Sequence, residues 1–215
     1  MPFTLVKSFP LLFYFSFIQH SYIIPVKTTS PLAVFSPLWN DAKYDVCNTA
    51  AKVSYMGARE KEVIYILNLA RTNPLLFANT VVTQYPTYNN SDYLKSKSEY
   101  KSLLVTLRKL NSMPILIPDS LCFESAECHA ITSGQKGYTG HVRQNKNCLG
   151  KRKYSAECCD YGNETPLNIV VSLLIDEDVE NLGHRSICLD DFKKIGVSVQ
   201  PHQKYRINTV LDFCD

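Results

Sequence analysis

From Arg59 to Arg71 the apolar positions Val63, Ile64, Leu67 and Ala70 recur at helical spacing. They predict a helix that Asn73-Pro74 ends, while the same two residues offer a cap and a first position for a shorter helix through Leu75, Leu76 and Phe77. Tyr100, Leu103, Leu104, Leu107 and Leu110 predict another helix. Its other face, with Lys95, Lys97, Lys101, Arg108 and Lys109, reads as solvated. Met113 to Pro118 is a short extended link, and Asp119-Ser120 caps a helix running to about Ser133. Thr165-Pro166 opens a helix from Leu167 to about Glu177 that is apolar nearly all round and is expected to be the most buried. After it the period changes. Ile195, Val197 and Val199 alternate, Pro201 to Lys204 turns the chain, and Ile207, Thr209, Leu211 and Phe213 alternate again, which predicts a β-hairpin. Helices followed by a C-terminal hairpin define an α+β class with helices packed on an antiparallel sheet.

Flanking segments divide the chain. Residues 1–20 carry Lys7 and then the apolar run Leu11 to Ile18, the order of a secretory signal peptide, or of a signal anchor if uncleaved. Residues 21–58, with Pro25, Pro31, Pro37 and Gly57, show little periodicity and read as an extended N-terminal arm that Cys47 staples down, leaving 59–215 as the domain. A net charge of +3 and the absence of a Gly-rich phosphate loop exclude nucleic acid as an expected partner. Membrane contact is expected only through the N-terminal segment, if it is uncleaved. Asn89-Asn90-Ser91 is a loop with a glycosylation-acceptor pattern. The eight cysteines agree with export and a disulfide set, hence with a secreted, extracellular protein, periplasmic or at the cell surface in a bacterium. The adjacent Cys158 and Cys159 face different surroundings, and the expected pairing joins Cys148 and Cys188 to that doublet.

The chemistry concentrates where the patterns break. Asp176, Glu177 and Asp178 stand at the end of the apolar helix, where the dipole favours cations, so a compensating positive group is expected: Arg185, protonated His184 or a metal ion. His141 lies in a glycine-rich loop, Glu157 before a turn and His184 after Gly183, whereas His129 reads as a packing or surface histidine and His202 as a turn residue. Two imidazoles with two or three carboxylates form a set suited to a divalent cation, Zn or another.

Gly137-Tyr138-Thr139-Gly140-His141, Ala156-Glu157-Cys158-Cys159-Asp160-Tyr161-Gly162, Ile175 to Arg185 and Lys193-Lys194-Ile195-Gly196-Val197 resemble, in that order, signature blocks of the CAP superfamily (cysteine-rich secretory protein, antigen 5 and pathogenesis-related 1; SCP-like), nearest to its bacterial secreted branch. The resemblance covers roughly residues 59 to 213. It implies a disulfide-stabilised α-β-α sandwich and a cleft of two histidines and two acids: His141 and His184 as metal ligands, Glu157 as first acid, and Asp176 or Glu177, with Glu177 preferred, as second. Where the family usually has Gly-Glu-Asn this chain has Ala156-Glu157-Cys158. The resemblance implies binding of a lipid, another small molecule or a protein partner without turnover. The alternative is a metal-dependent hydrolase or peptidase in which Glu157 or Glu177 is catalytic. A Cys–His nucleophile from Cys158 or Cys159 would be blocked by a disulfide.

Overall fold

The structure, a computed structural model, describes residue 1, residues 29–151 and residues 154–215. The expected signal segment, Met1 apart, lies outside the described residues. Among them no helix is long and apolar enough to cross a membrane.

The chain is mixed α/β. Its helices are α1 (Ala58–Thr72), α2 (Pro74–Phe77), α3 (Thr83–Tyr88), α4 (Ser98–Lys109), α5 (Ser120–Lys136), α6 (Lys146–Gly150), α7 (Pro166–Ile175) and α8 (Gly183–Cys188). Its strands are β1 (Ile117–Pro118), β2 (Ala156–Tyr161), β3 (Lys194–His202) and β4 (Arg206–Cys214), in the sheet order β1-β3-β4-β2. The predicted caps form as the side-chain chemistry requires: Asp119 accepts from the Leu121 and Cys122 amides, and Thr165 from the Asn168 amide with Pro166 at the first helical position. The C-terminal hairpin is present, with β3 and β4 antiparallel, but β3 continues through His202, so the turn falls later than Pro201 to Lys204. The sheet is mixed rather than antiparallel throughout, because β1 pairs parallel with β3.

Side-chain alternation sends the two faces of the sheet to different partners. Leu211 and Phe213 of β4, with Ile195 and Val197 of β3, join the main apolar core with α1, α4 and α7. The intervening residues of β4 face α5, where Asn208 donates to the Ala130 carbonyl and the Ser133 hydroxyl. Apolar packing on that side reduces to Ala126, Ala130, Cys159 and Val210 with Tyr161. Both disulfides, Cys122–Cys214 and Cys128–Cys148, tie α5 down on this less apolar side. Cys148 thus pairs with Cys128 rather than with the Cys158/Cys159 doublet. Cys158, Cys159 and Cys188 are buried free thiols, which replaces the expected pairing. Pleating sends Cys158 and Cys159 to opposite faces of β2, so one partner element could not reach both.

The arm is not held by a disulfide at Cys47, whose thiol is free and contacts the Thr72 hydroxyl at 3.3 Å. Short 3-10 turns, Pro37–Asn40 and Ala42–Cys47, instead carry Trp39 and Tyr44 into the main core. Trp39 Nε1 donates to Thr80 at 3.0 Å and Asn73 Nδ2 donates to the Tyr44 hydroxyl at 2.8 Å.

Candidate functional site

Among the described residues strand β2 is an edge of the sheet, beside β4, and the site is built around it. Glu157 lies within this strand rather than before a turn. It pairs in register with Asp212 and points to the α5 side. His141 Nδ1 donates to Glu157 Oε1 at 2.9 Å, and Arg143 Nη2 donates to Glu157 Oε2 and, at 3.0 Å, to Asp212 Oδ2. Glu157, Asp212 and Arg143 are almost wholly buried, while the His141 side chain is 56% exposed. A single guanidinium therefore bridges two buried carboxylates, the arrangement that makes burying them tolerable. Burial pushes Asp212 up to about 8, with repulsion from Glu157 in the same direction. Burial also acts to raise Glu157, but the His141 hydrogen bond and the Arg143 charge outweigh it, and its carboxyl lies below the usual range. The Glu157 hydrogen bond in turn raises the His141 imidazole against its own burial.

On the other side of β2 the acidic run takes a different form from the one expected. Helix α7 stops at Ile175, and Asp176 adopts a left-handed conformation (φ 59°) that turns its carboxylate away from the helix it ends. That carboxylate accepts from the His184 and Arg185 amides at 2.9 and 3.3 Å and from His184 Nδ1 at 2.7 Å. It thereby sits on the positive end of α8, a short helix that no periodic pattern predicts. Arg185 supplies the cation that the end of α7 needs: Nε donates to the Leu174 carbonyl at 2.6 Å and Nη2 to the Ile175 carbonyl at 2.7 Å. The apparent electrostatic fault is resolved by an exchange, Asp176 serving α8 and Arg185 serving α7.

Glu177 is elsewhere. It pairs with Lys97 at 2.7 Å and accepts from the Tyr93 hydroxyl at 3.0 Å, lining a polar cavity of about 210 Å³ with Tyr85, Asn163 and Ser172. Of the two acids considered, Asp176 is the one that reaches a histidine. Asn89 is partly buried, donating to the Tyr85 hydroxyl and accepting from Asn168.

The structure brings His141 and His184 together, with ring centroids 6.2 Å apart. Their nearest strand neighbours, Glu157 and Cys158, point to opposite faces, so the two rings meet around the free edge of β2. Each ring has Nδ1 on a buried carboxylate, which leaves Nε2 as the nitrogen with a lone pair to offer in the neutral form. The donor chemistry of the pair fits a divalent cation.

Four further residues belong here that the sequence reading did not place in the site. Arg143 lies two residues past His141, outside any periodic pattern, and Asp212 stands at a hairpin position ordinarily turned to solvent. His129 is fully buried on α5, with Nε2 donating to the Gly140 carbonyl at 2.9 Å and lying 4.0 Å from Glu157 Oε1. Burial lowers its imidazole. Cys159 Sγ is 3.7 Å from His141 Nδ1, and burial holds its thiol well above the ordinary range. His129, Glu157 and Cys159 form a buried group whose ligand atoms lie within 4.8 Å of one another and could hold a metal ion. The spacing of His129 with Ala126 and Ala130 was the available signal, since it puts the imidazole on the sheet-facing side of α5.

The chain matches no protein-family model, no curated protein and no solved structure.

Proposed function

We propose that this chain is a CAP-superfamily domain with that family's α-β-α sandwich, exported behind an N-terminal signal, and that its cleft binds a divalent cation together with a small-molecule, lipid or protein ligand without turning it over. His141 and His184 are the metal ligands through Nε2. Glu157 and Asp176 hold the two rings in the ligating tautomer from behind, as carboxylates commonly do for metal-binding imidazoles. The observation that carries this reading is the paired arrangement itself: two histidines from unrelated segments, their centroids 6.2 Å apart, each with Nδ1 committed to a buried acid. A cation held there would act as a Lewis acid or as an anchor for an anionic or carbonyl group of the ligand.

Support for binding over hydrolysis comes from the state of the groups that catalysis would use. Both Glu157 oxygens are already engaged, by His141 and by Arg143, so the acid acts as a positioning group rather than a free base. Cys159 is free of a disulfide, but its buried thiol resists ionisation and is a poor nucleophile. Zinc titration by calorimetry of wild type and of the His141→Ala/His184→Ala double variant tests the reading. Saturable binding in wild type and its loss in the double variant are expected; equal affinity in both would remove the metal site. Peptide and ester hydrolysis that disappears in Glu157→Gln would reverse the preference for binding.

A further inference from the structure

We infer that His129, Glu157 and Cys159 form a second, inner cation site, sulfur-containing and selective for a borderline-soft divalent ion such as zinc or cobalt over calcium or magnesium. It shares Glu157 with the cleft discussed above but does not rest on that cleft binding metal.

Three donor types converge from two elements, imidazole from α5 and carboxylate and thiol from β2. Glu157 and Cys159 are two apart on one strand, so both side chains project toward α5, and His129 meets them there. A tetrahedral zinc with metal–nitrogen and metal–oxygen bonds of about 2.0–2.2 Å and a metal–sulfur bond of about 2.3 Å needs donors roughly 3.3–3.7 Å apart. His129 Nε2 and Glu157 Oε1 stand at 4.0 Å, and the whole set lies within 4.8 Å, so closing on an ion asks for shifts of well under a bond length per donor. Three protein donors would leave a fourth position for water or a ligand.

His129 is fully buried, and among the described residues its Nδ1 has no hydrogen-bond partner, so that nitrogen can take the ring proton when Nε2, the atom 4.0 Å from Glu157, turns to an ion.

The proton balance is simple. The Cys159 S–H bond breaks as the metal–sulfur bond forms, and that proton goes to solvent. The ring proton of His129 moves from Nε2 to Nδ1, which frees the Nε2 lone pair for the ion. No electrons are transferred. Thiolate and imidazole donors favour zinc and cobalt, whereas calcium and magnesium want oxygen-only shells.

The experiment is a cobalt(II) titration of the intact, disulfide-bonded protein followed by absorption, since thiolate ligation gives an intense near-ultraviolet charge-transfer band that imidazole and carboxylate do not. Wild type is expected to develop the band saturably, with zinc displacing it and a large excess of magnesium leaving it in place. Cys159→Ser should abolish it, and His129→Gln, which keeps a donor for the Gly140 carbonyl, should weaken cobalt affinity at least about tenfold. His184→Ala should retain the band, which separates this site from the His141/His184 cleft. The free thiols Cys47, Cys158 and Cys188 provide the internal control. No band in wild type, or a band of unchanged affinity in Cys159→Ser or in His129→Gln, overturns the inference. If Cys159→Ser does not fold, the His129→Gln titration decides alone.

Discussion

Asp176 and Glu177 are adjacent acids with opposite assignments, and the difference is set by one backbone dihedral. At φ 59° Asp176 points back over α8, where it meets two amides and the His184 ring, while Glu177 continues outward to Lys97 and Tyr93. Asp176→Ala should therefore cost about 1–2 kcal/mol by loss of the cap and lower zinc affinity about 10–100-fold by freeing His184. Glu177→Ala, which removes a partly exposed pair, should change stability by about 0.5 kcal/mol or less and leave zinc affinity as it was. Chemical denaturation and calorimetry on the two variants side by side check both halves. Sequence pattern located this acidic pair but not the choice between them, because a shift of one residue in where α7 ends exchanges their roles.

Asp212 makes a second claim at the same scale. Its folded-state value is pushed up to about 8 while an unfolded aspartate titrates near about 3.9, so between these values the folded protein holds a proton that the unfolded chain lacks. The contribution of this residue is therefore fully present below the lower value and falls as pH rises toward the upper one, by at most about 1.4 kcal/mol per pH unit. Denaturation from pH 4 to 8 in the presence of a chelator should show that decline, and Asp212→Asn should flatten it. An unchanged slope in the variant would assign the pH dependence to other groups.

At the scale of elements, the strongly periodic helices and the hairpin were legible, and the two elements that carry half the site were not. Strand β2 has Glu157, Cys159 and Tyr161 on one face and Cys158 and Asp160 on the other, so polar residues lie on both sides and no period-two signal survives. Helix α8 has six residues and is entered through Leu182 at φ 50°, a conformation that no glycine or proline announces. Asp212 and Asn208 sit where a half-exposed hairpin would place solvent-facing residues, but α5 covers that face and turns them into buried hydrogen-bonding groups. The closeness of α5 to the sheet depends on Gly196: a Cβ there would lie 2.1 Å from the Phe123 nitrogen and 2.2 Å from the Cys122 carbonyl carbon. Gly196→Ala should thus push α5 off β3 and destabilise by about 1–3 kcal/mol, read as a lowered denaturation midpoint. A neutral result would mean that the helix stands farther from the strand than described.

For the whole molecule, the two sides of the sheet are held by different forces. The α1/α7 side has a continuous apolar core into which residues of the N-terminal arm also pack. The α5 side has a polar layer, a small apolar cluster and both disulfides, at sequence separations of 92 and 20 residues. Cross-links closing loops of these sizes contribute on the order of 3–5 kcal/mol each in the chain-entropy account. Non-reducing peptide mapping should recover Cys122–Cys214 and Cys128–Cys148, with Cys47, Cys158, Cys159 and Cys188 alkylated as thiols after denaturation. Reduction should accelerate amide exchange in α5 and α6 before it does so in α1 and α7. That cysteines pair was legible from their number, whereas the pairing was not, because it depends on which face of α5 meets β4.

All three scales converge on the gap between His141 and His184 at the free edge of β2. A zinc-edge anomalous difference map from crystals of the zinc-loaded protein tests that claim most directly. The account predicts a peak bonded to Nε2 of both rings, with Glu157 and Asp176 still accepting from the two Nδ1 atoms; a map with no density between the rings, or with zinc reaching neither histidine, would contradict it.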